Sequence, residues 1–185
     1  LATNTSYVGS DPYAHNNGYY WTGVMSIGPL QSAIDDMLNL NMTFGIDQTS
    51  ALPGETVSVS VWADVPNDIS MYSYEISVIG FGGDMMSLVS VDTVGSMTPS
   101  DWIFSYSADD EDGIVITAGA GSQAVSGSGN LFNLHFNISS NMDGGNFIDL
   151  FLTDPLINEN ADMGYDIENG GVLVLTYGDV STNGD

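Results

Sequence analysis

Residues 130–139, Asn-Leu-Phe-Asn-Leu-His-Phe-Asn-Ile-Ser, carry the pattern that decides the fold. From Phe132 onward, every second side chain in this stretch is apolar, and the side chains between them are polar. The apolar set is Phe132, Leu134, Phe136 and Ile138, and the polar set is Asn133, His135 and Asn137. Because successive side chains of a β-strand point to opposite faces of the sheet, this alternation predicts a strand. One of its faces belongs in a core, and the other faces solvent or a partner.

The same period of two recurs through most of the chain from residue 41 onward. The strand candidates are 42–47, 57–62, 72–78, 87–94, 102–107, 113–118, 130–139, 147–153 and 171–177. Clusters of Gly, Pro, Asn and Asp separate these runs. Short strands with regular turns predict an all-β fold, an antiparallel immunoglobulin-like or jelly-roll β-sandwich of about nine strands with an N-terminal extension. The candidate 171–177 is apolar on both faces, so we expect it to be central or covered.

The N-terminal extension covers residues 1–40 and has a different composition. Pro29 and the apolar residues that follow it at helical spacing predict a short helix over 29–38. The sandwich then occupies residues 41–177, and residues 178–185 follow it as a short tail.

Charge excludes several classes of function. The chain has 185 residues with 24 Asp plus Glu and no Lys or Arg, which gives a net charge of −24. A chain without basic side chains cannot neutralise phosphates, so nucleic-acid binding is excluded as a main role. An anionic membrane surface would repel the chain, and no apolar run is long enough to span a membrane. The absence of cysteine excludes disulfides, zinc–thiolate sites and cysteine nucleophiles.

Several motifs of the sandwich segment resemble the cohesin domain, the receptor module of cellulosome scaffolds. The run Phe44-Gly45-Ile46-Asp47 followed by residues 53–61, Pro-Gly-Glu-Thr-Val-Ser-Val-Ser-Val, is similar to the first two cohesin strands. Residues 129–136, Gly-Asn-Leu-Phe-Asn-Leu-His-Phe, resemble a later cohesin strand, and residues 169–174, Asn-Gly-Gly-Val-Leu-Val, resemble the last. The resemblance covers about three quarters of the chain and implies a secreted, non-enzymatic module that binds a dockerin.

Two acidic segments are candidates for binding calcium. Residues 178–185 resemble the start of a dockerin calcium loop, in which oxygens at positions 1, 3 and 5 precede a glycine. The candidate ligands of this tail are Asp179, Ser181, Asn183 and Asp185. The densest acidic run, residues 109–112, offers Asp109, Asp110 and Asp112. The alternative for that run is a solvated hairpin loop, but a chain with this much like charge is expected to bind divalent metal somewhere.

Enzymatic chemistry finds little support in the sequence, and we expect the protein not to be an enzyme. A glycosidase needs two carboxylates facing each other across a cleft, and no pattern locates such a pair. A catalytic serine needs a histidine oriented by an acid. We expect His135 to face solvent or a partner, and His15 lies in a Gly- and Asn-rich segment.

An apolar cluster in the N-terminal extension suggests assembly. Its members are Tyr19, Tyr20, Trp21, Val24, Met25 and Ile27. One interpretation is an additional strand or loop that packs on its own domain. The other is an arm that docks on a neighbouring copy, because an extended segment can add to an open sheet edge. A contact of that kind propagates into a filament unless it closes into a ring.

Three sequons, at Asn4, Asn41 and Asn137, are candidate N-glycosylation sites. The leading hypothesis is therefore an extracellular, non-enzymatic structural protein that self-assembles with other copies of itself through its N-terminal arm. The alternative is a cohesin module that binds a dockerin in a cellulosome-like scaffold. Because the chain begins at Leu1 without a leader, we expect a mature secreted protein, although a trimmed chain would look the same.

Overall fold

The computed structural model describes residues 6–9, 21–24, 42–109, 113–159 and 164–176. These residues belong to two compact units, Leu1–Asn39 and Leu40–Asp185. In the first unit, strands β1 (Ser6–Gly9) and β2 (Trp21–Val24) pair in antiparallel orientation. The expected helix over 29–38 lies outside the described residues.

The second unit is a β-sandwich. In the part of it that the structure describes, the strands are β3 (Met42–Ile46), β4 (Gln48–Ala51), β5 (Thr56–Val65), β6 (Tyr74–Ile79), β7 (Met86–Asp92), β8 (Ile103–Asp109), β9 (Gly113–Gly119), β10 (Gly127–Ile138), β11 (Phe147–Ile157), β12 (Tyr165–Glu168) and β13 (Gly170–Val174). They form a five-stranded sheet in the order β12-β3-β5-β10-β7 and a six-stranded sheet in the order β4-β13-β11-β6-β9-β8. The predicted all-β sandwich is confirmed.

The core lies between the two sheets and is built by the alternating apolar residues. In β10, the four apolar side chains of the period-two pattern are completely buried, as are Val59 and Val61 of the neighbouring strand β5. Ring contacts join the sheets, because Phe132 of β10 stacks on Tyr74 of β6 at a centroid distance of 6.1 Å. Apolar burial of this kind stabilises a fold by roughly 25 cal/mol per Å².

One buried polar chain crosses this core. The hydroxyl of Thr98 lies 2.7 Å from the carbonyl oxygen of Leu131 and 2.9 Å from the hydroxyl of Tyr74. The two hydroxyls are hydrogen-bonded to each other, and either one can be the donor. Burial raises the pKa of Tyr74.

Two strand pairs depart from the expected antiparallel arrangement. Strand β12 pairs with β3, and β13 pairs with β4, each in parallel orientation. A switch of sheets at Asp47 separates β3 in one sheet from β4 in the other, so that one continuous segment pairs first with β12 and then with β13. Strand β13 lies between β4 and β11, as expected for a central strand, but Leu173 is 40% exposed, so its outer face is not covered.

Candidate functional site

The outer face of the six-stranded sheet exposes apolar side chains, although outer faces are usually polar. We call this surface the six-strand face. Six large apolar residues on it are between 38% and 71% exposed: Ile79, Ile103, Val115, Phe147, Phe151 and Leu173. The strand register brings several of them side by side, because Phe147 pairs with Leu173 and Phe151 pairs with Ile79. Contiguous exposed apolar surface of this kind marks an interaction site.

A row of hydroxyl groups runs beside these apolar side chains. Ser77 of β6 is flanked by Thr153 of β11 and by Val115 of β9. Further along β9, the hydroxyls of Thr117 and Ser105 lie 2.7 Å apart and are hydrogen-bonded. The face therefore offers polar groups that accept or donate hydrogen bonds next to apolar anchors, the combination that protein interfaces use.

Carboxylates complete the six-strand face. Glu75 of β6 and Asp149 of β11 are both exposed on it. A shallow cavity of about 310 Å³ lies at one end, with Glu75 and Glu159 in its wall beside Ile103 and Leu156. This cavity offers apolar walls together with acceptors for a cationic or hydrogen-donating group.

The outer face of the five-stranded sheet is different, because most of the side chains on it are polar. His135 lies on it, 27% exposed, with Nε2 2.8 Å from the carboxylate of Asp92 on β7. The amide of Asn133 donates to the other oxygen of Asp92 at 3.1 Å. The expectation that His135 faces outward is confirmed, whereas its acid partner on β7 was not anticipated.

Because Asp92 accepts several hydrogen bonds, its negative charge stabilises the folded protein. The hydrogen bond from Asn133 lowers the pKa of Asp92, assisted by the backbone N–H of Val94 and by His135. An acid whose pKa is lower in the folded than in the unfolded chain stabilises the fold above its unfolded pKa of about 4. That stabilisation is lost as the pH falls through the folded pKa.

We therefore expect Asp92→Asn to be less stable than the wild type at pH 7 by on the order of 0.5 kcal/mol, the size of an exposed ion pair. The difference should shrink as the pH falls below the unfolded pKa of about 4 and through the lowered pKa of Asp92 in the folded protein. Urea unfolding of both proteins between pH 3 and 7 measures it. A difference that stays constant across this range would contradict the role assigned to the carboxylate.

Most of the metal and assembly residues suggested by the sequence lie outside the described residues. These are Asp110, Asp112, Asp179, Ser181, Asn183 and Asp185, together with Tyr19, Tyr20, Met25 and Ile27. Asp109 ends β8, and Trp21 and Val24 bound β2. Within the described ranges, no group of three His, Cys, Asp or Glu residues is placed to hold a metal ion, so calcium binding stays a prediction.

The sequons are distributed in the same way. Asn4 and Asn41 lie outside the described residues. Asn137 is exposed on β10, as its position in the alternation predicted. The six-strand face, in contrast, was not singled out from the sequence. The signal that could have identified it is the presence of Phe147 and Phe151 on the same phase of the run 147–153 as the polar residues Asp149 and Thr153.

The family model of the cohesin domain matches residues 42–174, which is the whole of the β-sandwich from β3 to β13. The chain thus belongs to the cohesin domain family, a family of scaffold modules rather than enzymes. No curated protein sequence matches the chain significantly. Among the described residues, no helix is long and apolar enough to cross a membrane.

Solved cohesin structures have the same fold. The third cohesin of ScaC from Acetivibrio cellulolyticus, in complex with the ScaB dockerin, is 16% identical and matches 73% of this chain and 99% of that one, with a TM-score of 0.63. The seventh ScaB type I cohesin from Pseudobacteroides cellulosolvens is 18% identical, covering 78% and 99%, with a TM-score of 0.62. A non-cellulosomal cohesin from the archaeon Archaeoglobus fulgidus is 16% identical, covering 75% and 94%, with a TM-score of 0.56.

Proposed function

We propose that this chain is a non-enzymatic cohesin module that receives a dockerin on its six-strand face. The observation that carries the proposal is the set of six exposed apolar side chains on that face, in a chain that belongs to the cohesin family. The similar ScaC cohesin is in complex with a dockerin. This support favours dockerin binding over self-assembly as the main function.

The distribution of apolar surface supports the choice of face. Among the strands of the five-stranded sheet, the exposed large apolar residues in the described part are Val89 and Ile167, at 59% and 36%. Those two lie on opposite edge strands, β7 and β12, and cannot form one patch. The six-strand face gathers three times as many on neighbouring strands, and burial of such a patch is what drives association.

Charge sets a requirement for the partner. Because the chain has no Lys or Arg, any ion pair across the interface must use its carboxylates, with the cation supplied by the dockerin. Glu75 and Asp149 on the face, and Glu159 at the cavity, are placed for this role. Complementary charges of this kind raise the association rate and select partners more than they raise affinity.

A pair of valine variants tests the proposal. Val115→Asp places a carboxylate on the six-strand face at a site that is 41% exposed, and Val89→Asp places one on the opposite sheet at a site that is 59% exposed. Both positions are open to solvent, so both variants should fold, as circular dichroism would verify. With calcium-loaded dockerins encoded in the same genome, titration calorimetry should show at least about tenfold weaker binding for Val115→Asp, equivalent to about 1.4 kcal/mol.

The control decides between a specific and a general effect. Val89→Asp adds the same charge to the same molecule and should bind the dockerin as the wild type does. Equal weakening by both variants would point to long-range repulsion instead of contact at the six-strand face. Unchanged binding by Val115→Asp would place the dockerin elsewhere.

A second candidate function is self-assembly of an extracellular structure through residues 1–28. In this segment, β2 pairs with β1, with Trp21 opposite Gly9 and Val24 opposite Ser6. This pairing supports a strand-forming role for the segment. A two-stranded sheet leaves an outer edge on each strand, to which another strand can add. Sedimentation velocity of the whole chain at increasing concentration measures whether such assemblies form.

A further inference from the structure

The two tryptophans of the sandwich have different environments. Trp102 is 6% exposed, and its indole N–H donates to the carbonyl oxygen of Gln123 at 2.9 Å. Trp62 is only partly buried and lies on the outer face of the five-stranded sheet. Within the described part of the chain, the indole N–H of Trp62 makes no hydrogen bond to another residue. A tryptophan that serves only the core normally satisfies this donor, as Trp102 does.

The backbone beneath Trp62 holds its ring against the sheet. Trp62 of β5 is directly opposite Gly45 of β3. A Cβ atom at position 45 would overlap Cζ2 and Cε2 of the indole and lie 2.8 Å from Nε1. The ring therefore lies across Gly45. Gly45 is on the outer face of the sheet, like Trp62, but it is buried because the indole ring covers it. Only glycine at position 45 allows the ring to lie down on the sheet.

Polar groups around this ring are held in place by hydrogen bonds across the strands. The hydroxyl of Ser128 donates to the carboxylate of Asp64, one row from Trp62. On the other side, the hydroxyl of Ser60 donates to the amide oxygen of Asn133 at 3.3 Å, and that amide donates to Asp92. An aromatic ring flanked by ordered acceptors and donors can offer stacking and hydrogen-bonding contacts to the same ligand.

Charge narrows the class of ligand. The fixed charges of this face are carboxylates, such as Asp64 and Asp92, and the whole chain carries −24 without a basic side chain to offset them. Anionic ligands, including uronic acid polymers, are therefore repelled. A neutral sugar fits, because its C–H face packs on an aromatic ring while its hydroxyls donate to carboxylate and amide oxygens.

We propose that the outer face of the five-stranded sheet binds a neutral oligosaccharide, with one sugar ring on Trp62 and neighbouring sugars along the rows of Asp64 and Asn133. This surface lies on the opposite sheet from the six-strand face. Sugar binding and dockerin binding therefore use separate surfaces, and failure of one leaves the other standing. A module of this kind can contact a polysaccharide and a protein partner at the same time.

Titration calorimetry of the whole chain with cellohexaose, mannohexaose and xylohexaose tests the proposal. At least one of these neutral oligosaccharides should bind, with an affinity that is unchanged between 0.05 and 0.5 M NaCl, because no charge pairing is involved. Trp62→Ala should weaken that binding at least about tenfold. Trp62→Phe keeps a ring over Gly45 and removes the N–H donor, so its affinity should lie between those of the wild type and Trp62→Ala.

Phe151→Ala is the matched control, because it removes an exposed aromatic ring from the six-strand face. This variant should bind the oligosaccharide as the wild type does. Absence of binding by all three oligosaccharides would overturn the proposal, as would unchanged binding by both Trp62 variants.

Discussion

Replacing Phe132 with alanine is expected to lower the free energy of unfolding by about 3–5 kcal/mol, the usual loss for a fully buried phenylalanine. The ring is completely buried at the centre of β10. It stacks on Tyr74 of the opposite sheet at 6.1 Å and contacts Phe104 at 6.2 Å. Its removal therefore leaves a cavity between the two sheets, and strands on both sides would have to move to fill it.

Chemical unfolding in guanidinium chloride, followed by fluorescence, measures this loss. Phe147→Ala is the matched control, because Phe147 is 42% exposed on the six-strand face and its truncation should cost less than about 1 kcal/mol. Similar losses in the two variants would mean that stability does not depend on packing between the sheets. A loss of the expected size for Phe132→Ala alone supports a single core shared by both sheets.

The sequence predicts the core of the sandwich because, in a strand with one face in solvent, the alternation of polar and apolar residues shows which side chains face the core. In β10, Phe132 and Phe136 are completely buried, and Asn133 and Asn137 lie on the outer side, in agreement with the alternation. This agreement needs only the geometry of an extended chain, which is local. The same holds for β5, in which the valines alternate with serines.

Pairing between distant segments could not be predicted in the same way. Strand β4 carries no alternating apolar pattern, and the alternation in β12 extends over only four residues. Each of these strands is defined by a parallel neighbour far away in the sequence. In the sequence, residues 48–51 look like a polar continuation of β3. In the structure, the chain changes sheets at Asp47, and these residues form the separate strand β4. Tyr72 was expected to continue β6, but it is 50% exposed, and its backbone N–H donates to the side chain of Asn158.

The candidate site was harder to predict because exposed apolar residues resemble core residues in a sequence. Because of Leu173, the last strand is apolar on both faces, and the sequence predicts that another element covers its outer face. The structure instead aligns Leu173 with Phe147 on an open face. Apolar residues on both phases of a strand can mean burial on both sides or a binding surface, and composition alone does not distinguish them.

Gly170→Ala is the second substitution with a large expected effect, a loss of about 3 kcal/mol or more in the free energy of unfolding. Gly170 begins β13 at the point where the chain switches sheets between β3 and β4. A Cβ atom there would overlap the carbonyl oxygen of Ile46 and lie 2.6 Å from that of Asp47. Both obstacles are backbone atoms, so no side-chain rotation can relieve the overlap.

The matched control for this substitution is Gly129→Ala, in the middle of a sheet and also free of a positive φ. A Cβ atom at position 129 would meet only the flexible side chain of Met97, at 3.4 Å. Its effect should stay within about 1 kcal/mol, and it can be stabilising because glycine weakens a strand. Thermal and guanidinium unfolding of both variants compares them. Equal stability of Gly170→Ala and Gly129→Ala would contradict this explanation. The close approach of β13 to the sheet switch at Asp47 would then not be the reason for glycine at position 170 of the Asn-Gly-Gly-Val motif.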